Sequence, residues 1–116
     1  MCGISGVYNY SSKNIVSKNI IEKINDLQKD RGPDGNGLWQ SDCKKITLGH
    51  TRLSIIDLTE NANQPFLTED KNYVITFNGE IYNYAEIKKK LQGENVRFIS
   101  DSDTEVILQS YKFWGL

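Results

Sequence analysis

The chain contains 116 residues, of which 38% are hydrophobic and 25% are charged, and its formal net charge is −1 at pH 7. These values are typical of one globular domain and exclude a disordered or fibrous chain. They also exclude a general electrostatic attraction to nucleic acid or anionic lipid, because positive and negative side chains nearly balance. The basic run Lys88-Lys89-Lys90 is interpreted as a solvated helix face.

Cysteine content and the start of the chain bear on the cellular compartment. The two cysteines, Cys2 and Cys43, are too few for a disulfide framework and lack the spacing of metal ligands, so we expect a reducing compartment and no metal. The first residues lack the charged start and apolar core of a signal peptide, and no apolar run is long enough to span a membrane. The sequence thus predicts a cytoplasmic protein with no membrane or nucleic-acid partner.

The first residues, Met1-Cys2-Gly3, offer an unusual chemical arrangement. Removal of Met1 would place a thiol with a reference pKa of about 8.5 beside an α-amine with a pKa of about 7.7 to 8.0. Cys2 would then contain both a nucleophile and a proton acceptor, without a catalytic histidine. The alternative is an inert core residue, because cysteine is among the most frequently buried residue types. At this point both interpretations stay open.

The first third of the chain predicts a strand, a helix and a loop. Residues 4–8 are rich in apolar and β-branched side chains and indicate a buried strand directly after Cys2. A turn is predicted at residues 11–14, and a helix from about Ser17 to residue 29 or 30. The expected apolar face of this helix consists of Ile20, Ile21, Ile24 and Leu27. Residues 31–37, with three glycines and a proline, are expected to form a loop that permits close backbone approach.

The next part predicts a pair of short strands. Residues 38–40 and 45–50 indicate strands joined by a turn at residues 41–44, which contains Cys43. The stretch Gly49-His50-Thr51-Arg52 lies at a strand end, where polar side chains can reach a site. Residues 53–58 are apolar enough for us to expect them to be buried.

The second half opens with a turn-rich connection at residues 61–66. By composition, residues 73–77 form the clearest strand in the chain. This strand leads into Asn78-Gly79, and an Asn-Gly pair often forms the turn of a β-hairpin. The residues after the pair do not resemble a returning strand, which argues against a hairpin here.

Two helices are predicted in the last third. Asn83 and Glu86 have the spacing of a capping box that opens a helix through residue 91. A short strand is predicted at residues 96–99. A second capping box, Ser102 with Glu105, predicts a helix that ends near residue 113.

Six stretches of the sequence follow the order found in one enzyme family. They are Cys2-Gly3-Ile4, Arg31-Gly32-Pro33-Asp34-Gly35, Gly49-His50-Thr51-Arg52-Leu53-Ser54-Ile55-Ile56-Asp57, Asn63-Gln64-Pro65, Phe77-Asn78-Gly79-Glu80-Ile81-Tyr82-Asn83 and Ser102-Asp103-Thr104-Glu105. Together they resemble the glutaminase domain of glutamine-hydrolysing asparagine synthetases, which are class II glutamine amidotransferases and N-terminal nucleophile hydrolases. Each stretch alone is weak evidence, whereas the ordered set covers nearly the whole chain.

The resemblance implies an α+β fold, in which two antiparallel sheets lie between helical layers in a four-layer α/β/β/α sandwich. The family's domain continues well beyond the helix that follows Ser102-Asp103-Thr104-Glu105, so we expect only part of this fold, as a single domain at residues 1–116. Nothing in the sequence resembles the ATP-binding signature of the family's synthetase domain. We therefore expect no cofactor in this chain, with ATP and Mg²⁺ used only by the absent synthetase domain.

The resemblance also assigns roles to matching residues. Cys2 matches the nucleophile that forms a glutamyl thioester, while the Asn78 side chain and the Gly79 backbone N–H match the oxyanion hole. Arg52 matches the residue that binds the substrate α-carboxylate, for which a guanidinium is well suited. Asp103, aided by Glu80, matches the anionic group that receives the α-ammonium. The predicted glutamine-binding residues are Arg52, Leu53, Ser54, Ile55, Ile56, Asn78, Gly79, Glu80 and Asp103.

Other polar residues are expected to have structural roles. His50 is interpreted as a packed core residue, because the terminal amine already supplies a base. Arg31 and Asp34 are assigned to the architecture of their loop, and Cys43 to no role. For Arg52 a surface charge, and for Asp103 an acid in the first turn of a helix, are the structural alternatives.

Three functions are compatible with this sequence. The first is the glutaminase portion of an asparagine synthetase, which passes ammonia to an ATP-activated aspartate in a synthetase domain. The second is a glutaminase subunit of a related amidotransferase with another acceptor, and the third is an inactive fragment that acts as an interaction module through exposed sheet edges. The expected partners are L-glutamine and a synthetase domain or subunit, and a homodimer is among the oligomeric states left open.

Overall fold

A computed structural model describes residues 1–11, 15 and 17–115 of the chain. Within these residues the elements are, in order, β1 (Gly3–Tyr8), α1 (Lys18–Leu27), β2 (Gly35–Gln40), β3 (Ile46–Arg52), a 3-10 helix (Glu60–Ala62), β4 (Phe66–Leu67), β5 (Val74–Ile75), α2 (Tyr84–Gly93) and α3 (Asp103–Trp114). The strands of both sheets pair antiparallel, so the α+β class with antiparallel sheets is confirmed. Of the turn predicted at residues 11–14, residues 12–14 lie outside the described part.

The larger sheet has three strands in the order β1-β3-β2. Its central strand, β3, pairs with β1 from Thr51 opposite Gly3 and with β2 from Arg52 opposite Gly35. The predicted turn between β2 and β3 is confirmed. β2 begins at Gly35 rather than at the predicted Leu38, because the end of the glycine-rich stretch pairs with β3. The prediction of a loop through residue 37 was therefore wrong for its last three positions.

Helix α1 begins where the sequence predicts. The Ser17 hydroxyl accepts a hydrogen bond from the Asn19 N–H at 3.3 Å, as expected of an N-cap residue. The helix ends at Leu27, two to three residues before the predicted position. Helix ends commonly differ by this amount between assignments.

One row of side chains attaches α1 to the larger sheet. Ile21 and Asn25 are buried, and the Asn25 amide donates to the Gly37 carbonyl at 2.9 Å. The predicted apolar face was wrong for Ile20 and Leu27, which are 50% and 87% exposed. The polar Asn25 takes the central position because its amide satisfies a main-chain carbonyl of β2.

The smaller sheet contains β4 and β5. β5 is shorter than the predicted strand at residues 73–77, because the residues after it bond elsewhere. The Thr76 hydroxyl donates to the Gly49 carbonyl at 3.3 Å, and the Phe77 N–H donates to the Gln64 side chain at 2.6 Å. The end of the predicted strand is therefore held by groups outside the smaller sheet.

Ser102 caps the N-terminus of α3 as predicted, but only this half of the predicted capping box forms. The Ser102 hydroxyl accepts a hydrogen bond from the Glu105 N–H at 3.2 Å. The Glu105 carboxylate instead accepts from the N–H groups of Ile99, at 3.0 Å, and Ser100, at 2.7 Å. The prediction of a strand at residues 96–99 was wrong, since these main-chain donors bond to a side chain rather than to a neighbouring strand.

Helix α2 follows Asn83, but not through a capping box. The Asn83 side chain makes no capping hydrogen bond, and its carbonyl accepts from the Glu86 N–H at 3.1 Å. The position of the helix was therefore predicted correctly, whereas the capping mechanism was not.

Residues 53–58 differ from the prediction of a buried segment. Ile55, Ile56 and Leu58 are 63%, 39% and 76% exposed. In the described residues the buried hydrophobic side chains are Ile21, Ala62, Phe66, Leu91, Val106 and Leu108. None of the described helices has the length and apolar character needed to cross a membrane.

Candidate active site

A cavity of about 240 Å³ lies where the start of the chain, the end of β3 and the N-terminus of α3 meet. Most of the predicted site residues line it: Cys2, Arg52, Leu53, Ile55, Ile56, Asn78, Gly79, Glu80 and Asp103. Ser54 is predicted to belong to the site but is not on the cavity wall. The fold therefore brings together residues that are far apart in the sequence.

The pairing of β1 with β3 places Cys2 at this cavity. Gly3 is opposite Thr51, so Cys2 lies beside the residues that follow β3. The Cys2 thiol accepts a hydrogen bond from the Leu53 N–H at 3.3 Å and lies 3.6 Å from the Leu53 carbonyl oxygen. Cys2 is half-buried and lines the cavity, as does the exposed Met1. The position of Cys2 is thus accessible rather than part of the core.

Arg52 presents an oriented positive charge to the cavity. Its guanidinium donates to the Thr59 carbonyl at 2.8 Å, to the Asn63 side-chain oxygen at 2.9 Å and to the Asp57 carbonyl. These acceptors are neutral oxygens, and no ion pair found in the described part of the chain includes Arg52. The charge is therefore held in place without an acidic partner and is available to a carboxylate ligand.

Asp57 connects the segment after β3 to the loop before α3. Its carboxylate accepts from the Thr59 hydroxyl at 2.7 Å, from the Thr59 N–H at 2.8 Å and from the Asp101 N–H at 2.9 Å. These hydrogen bonds, with the Thr59 hydroxyl foremost, hold the pKa of Asp57 below its usual value, and the nearby Arg52 charge adds a smaller effect. Asp57 thereby supports the position of the Arg52 guanidinium.

Asn78 and Gly79 lie in an exposed bend on the cavity wall, directly after Phe77. A Cβ atom added at Gly79 would lie 2.6 Å from the Phe77 ring, closer than real Cβ atoms approach. A larger residue at this position would therefore require the Phe77 ring to move. An amide side chain and a backbone N–H are thus placed on the same cavity as Cys2.

Two carboxylates complete the polar part of the cavity wall. Asp103 is the first residue of α3 and is 6% exposed, and its carboxylate accepts from the Ile81 N–H at 2.9 Å. A helix N-terminus favours negative charge at this position. Glu80 is exposed on the same wall. Together with the Arg52 guanidinium, these carboxylates complement the two charged groups of a free amino acid.

Comparison with known protein families places these residues in context. The glutamine amidotransferase domain model matches residues 1–116 of the chain. The chain belongs to this family. The match covers all of the polar residues of the cavity wall described above.

Three relatives of this amidotransferase domain illustrate its place in the family. It is 40% identical to asparagine synthetase [glutamine-hydrolyzing] 1 of Bacillus subtilis over 116 residues, which are 98% of this chain and 18% of that protein. It is 40% identical over 131 residues to a putative asparagine synthetase [glutamine-hydrolyzing] 2 of Methanocaldococcus jannaschii, covering 99% of this chain and 24% of that protein. It is also 40% identical over 127 residues to the amidase chry2 of Gibberella zeae, covering 100% of this chain and 18% of that protein.

These matches confirm the resemblance to glutamine-hydrolysing asparagine synthetases. The chain spans about a fifth of the length of such relatives. The chain is therefore a glutamine amidotransferase domain that is homologous to one part of these asparagine synthetases.

His50 of the amidotransferase domain occupies the packed position that the sequence predicts. It is 1% exposed and is not on the cavity wall. Its Nε2 atom lies 3.3 Å from the Phe77 carbonyl oxygen. Burial lowers the pKa of His50, which favours the neutral ring.

The loop before β2 contacts the main chain of two segments near the cavity, at Cys2 and at Ser54. The Arg31 side chain donates to the Cys2 carbonyl at 3.5 Å, and the Asp34 carboxylate accepts from the Ser54 N–H at 2.8 Å. Both contacts agree with the predicted architectural role of this loop. The second contact directs the Ser54 N–H to Asp34.

Sequence reasoning missed Gln64 and Thr104, which line the cavity of the amidotransferase domain. The Gln64 amide donates to the Thr104 hydroxyl at 3.0 Å. Both residues belong to stretches of the sequence that resemble the family. Membership in these stretches could have marked them as site residues. In the described part of the chain, no group of three or more His, Cys, Asp or Glu side chains is arranged to hold a metal ion.

Proposed function

We propose that this domain hydrolyses L-glutamine to glutamate and ammonia through a thioester on Cys2. The observation that carries the proposal is the placement of Cys2, Arg52, Asn78, Gly79 and Asp103 on one cavity in a glutamine amidotransferase domain. A thiol, an amide donor, a backbone N–H and two opposite charges are the groups that this hydrolysis requires.

In the proposed reaction the Cys2 thiol attacks the side-chain amide carbon of glutamine. The α-amine of Cys2, freed by removal of Met1, accepts the thiol proton and then transfers it to the departing nitrogen, which leaves as ammonia. The tetrahedral oxyanion accepts hydrogen bonds from the Asn78 side chain and the Gly79 N–H. Water then attacks the thioester carbonyl, which releases glutamate and restores the thiol.

The same proposal assigns the ends of the substrate. The Arg52 guanidinium binds the α-carboxylate, and Asp103 and Glu80 receive the α-ammonium. Leu53, Ile55 and Ile56 supply the remaining wall of the cavity. The Ser54 N–H is bonded to Asp34, so Ser54 is proposed to act on glutamine only through the conformation of this wall.

We further propose that the domain is the glutaminase part of an asparagine synthetase. Two relatives named as glutamine-hydrolysing asparagine synthetases support this assignment. They do not favour the two alternatives, which are an acceptor other than aspartate and a role as an inactive interaction module. Ammonia would pass to an ATP-activated aspartate in a synthetase domain, which would use ATP and Mg²⁺. The glutaminase chain itself is proposed to need no cofactor.

The remaining proposals concern assembly. We propose that residues 1–116 form a single domain and contribute to a four-layer α/β/β/α sandwich of the N-terminal nucleophile hydrolase type, which is supported by the two antiparallel sheets and three helices of the described residues. A cytoplasmic location stays an expectation from the sequence, and a homodimer stays among the oligomeric states left open.

Labelling by a diazo-ketone analogue of glutamine tests the proposed reaction. The analogue should modify Cys2 and leave Cys43 unmodified, since only Cys2 lies on the cavity. Cys43 is a demanding internal control, because it is exposed and its pKa is lowered by a hydrogen bond from the Ser41 hydroxyl. Iodoacetamide, which has no glutamine-like end, should therefore label Cys43.

Peptide mapping by mass spectrometry identifies the modified residue. A Cys43→Ser variant should keep full labelling of Cys2 by the diazo-ketone, and excess L-glutamine should protect Cys2. Diazo-ketone labelling found mainly on Cys43, or labelling of Cys2 that glutamine does not slow, would overturn the assignment.

The proposed proton transfer also predicts the start of the mature chain. Met1 should be absent from active protein, because a peptide bond at the nitrogen of Cys2 would remove the amine that accepts the proton. Intact mass measures this directly. Hydrolysis of glutamine by protein that fully retains Met1 would remove the terminal amine from the mechanism.

A further inference from the structure

The main chain of Phe77, the residue before Asn78, is held on both sides by side chains from other elements. The Phe77 N–H donates to Oε1 of Gln64 at 2.6 Å. The Phe77 carbonyl oxygen lies 3.3 Å from Nε2 of His50. Phe77 lies beyond the end of β5, so the strand ladder does not hold it.

The His50 contact has a defined donor. A carbonyl oxygen can only accept, so Nε2 of His50 carries the proton in this hydrogen bond. The second ring nitrogen, Nδ1, is buried and has no hydrogen-bond partner in residues 1–11, 15 and 17–115. A charged ring would bury a second N–H without an acceptor, which is unfavourable. His50 therefore acts as a neutral donor from β3 to the Phe77 carbonyl.

The Gln64 contact connects two parts of the cavity wall. Because the Phe77 N–H requires an acceptor, Oε1 of Gln64 faces Phe77, and the Gln64 amide nitrogen donates to the Thr104 hydroxyl at 3.0 Å. Thr104 follows Asp103 in the first turn of α3. One side chain thus joins the segment that precedes Asn78 to the helix start that carries Asp103.

The bend that contains Asn78 and Gly79 is exposed, and hydrogen bonds hold the main chain of Phe77 on one side of it and of Ile81 on the other. The Ile81 N–H donates to the Asp103 carboxylate at 2.9 Å. Oxyanion donors are effective only when they are fixed before the charge develops, and a displacement of about 1 Å can cost a hundredfold in rate. The direction of the Gly79 N–H therefore depends on how firmly Phe77 is held.

We propose that His50 and Gln64 are positioning residues, which orient Asn78 and Gly79 by holding the carbonyl and the N–H of Phe77. This inference rests on the proposed glutaminase function. Neither residue touches the reacting atoms in this proposal. Their removal should slow the chemical step while glutamine still binds through Arg52 and Asp103.

The test uses variants that replace a polar side chain by an apolar one of nearly the same size. In the full-length protein, Gln64→Met removes the acceptor for the Phe77 N–H together with the donor to the Thr104 hydroxyl, whereas His50→Phe removes only the donor to the Phe77 carbonyl. Each should lower kcat for glutamine hydrolysis by about tenfold to a hundredfold and change KM by less than about threefold. The rate constant for diazo-ketone labelling at saturation should fall in parallel.

Two further variants separate positioning from a general loss of structure. His50→Gln keeps an N–H donor near the position of Nε2 and should restore most of the lost kcat. Gln40→Met removes a comparable bond, from the Gln40 amide to the Thr47 hydroxyl at 2.9 Å, at a distance from the cavity, and should leave kcat unchanged. Gln64 is only half-buried, so Gln64→Met decides the question if His50→Phe does not fold.

The outcomes distinguish this inference from the proposed function. Wild-type protein that neither hydrolyses glutamine nor labels at Cys2 would overturn both. An active wild type in which folded Gln64→Met keeps its kcat, or changes only KM, would overturn the positioning role and leave the glutaminase function standing. A loss of kcat that His50→Gln fails to restore would likewise exclude the hydrogen bond from His50 as its cause.

Discussion

At the scale of single residues, the cavity wall contains two kinds of polar group, which differ in burial and in proposed role. Arg52 and Asp103 are nearly buried charges, each fixed by hydrogen bonds to neutral groups of the protein. Such charges bind substrate groups whose charge does not change during the proposed reaction, so they contribute mainly uniform binding. Asn78 is exposed beside a bend, and its proposed partner is an oxyanion whose charge develops only in the transition state.

This difference predicts a division between KM and kcat. Arg52→Lys and Asp103→Asn should raise KM for glutamine by at least about tenfold, because lysine lacks the planar guanidinium that matches a carboxylate and asparagine lacks the negative charge that pairs with an ammonium. Asn78→Ala should instead lower kcat by about a hundredfold to a thousandfold with little change in KM. Steady-state kinetics of glutamine hydrolysis measure both constants.

The matched control for Arg52→Lys is Arg97→Lys, since Arg97 is exposed and is not on the cavity wall. That variant should behave as wild type in both constants. If Asn78→Ala keeps its kcat and raises only KM, Asn78 is a binding or turn residue, and the oxyanion role must be abandoned.

At the scale of elements, the larger sheet and α1 pack closely at Gly49, where the structure has no room for a side chain. A Cβ atom added at Gly49 in β3 would lie 2.4 Å from the Ser5 hydroxyl and 2.5 Å from Asn25 and Ile21 atoms. Asn25 and Ile21 are the buried residues of α1. Glycine in the central strand therefore sets the distance between the helix and the sheet.

We expect Gly49→Ala to destabilise the fold by about 1 to 3 kcal/mol through overpacking. The control is Gly93→Ala at the end of α2, where an added Cβ meets nothing within 4 Å. Because alanine has the higher helix propensity, that variant should be neutral or stabilising by up to about 1 kcal/mol. Urea unfolding midpoints compare the two variants, and equal midpoints would contradict the packing argument.

At the scale of the whole molecule, the cavity lies where the start of the chain, the end of β3 and the N-terminus of α3 meet, and the buried hydrophobic side chains of the described residues are few. The chain exposes 7756 Å² of surface, whereas a compact protein of its 13.3 kDa mass exposes about 6,500 Å². Its radius of gyration is 14.9 Å, compared with about 13 Å for a compact domain of this length. Polar contacts between distant segments are therefore a larger part of what holds the elements together.

One such contact joins the turn of the smaller sheet to α3. The Asp70 carboxylate accepts from Lys112 at 2.6 Å and from the Thr68 hydroxyl at 2.6 Å. These bonds, with Lys112 foremost, hold the pKa of Asp70 well below its usual range. A carboxyl whose pKa is lowered by folding contributes stability above its unfolded pKa of about 3.9, and this contribution is lost as the pH falls toward the folded value.

Asp70→Asn should therefore lower the Tm at pH 7, and its difference from wild type should shrink below about pH 4. The asparagine retains an oxygen that can accept from Thr68, so the variant removes chiefly the charge. Thermal melting at a series of pH values measures the effect, which should also weaken at high salt. A difference between the two proteins that stays constant from pH 7 to below pH 4 would contradict the ion-pair explanation.

Several features of this protein were predictable from the sequence because they depend on neighbouring residues. Ser17 and Ser102 cap their helices through hydrogen bonds that span two or three residues, so the starts of α1 and α3 could be read locally. The turn between β2 and β3 was visible for the same reason. The chemical groups of the proposed site, from Cys2 to Asp103, were identified by residue type and by resemblance to one family.

Only the tertiary structure decided which of these residues meet and what holds them. The sequence pattern favours Leu27 as a core residue, but Asn25 is buried instead because it satisfies a carbonyl of β2. Likewise, Gln64 and His50 hold Phe77 from segments 13 and 27 residues away. Periodicity reports the burial of a face within one element, whereas a hydrogen bond between distant segments depends on a geometry that no local pattern contains.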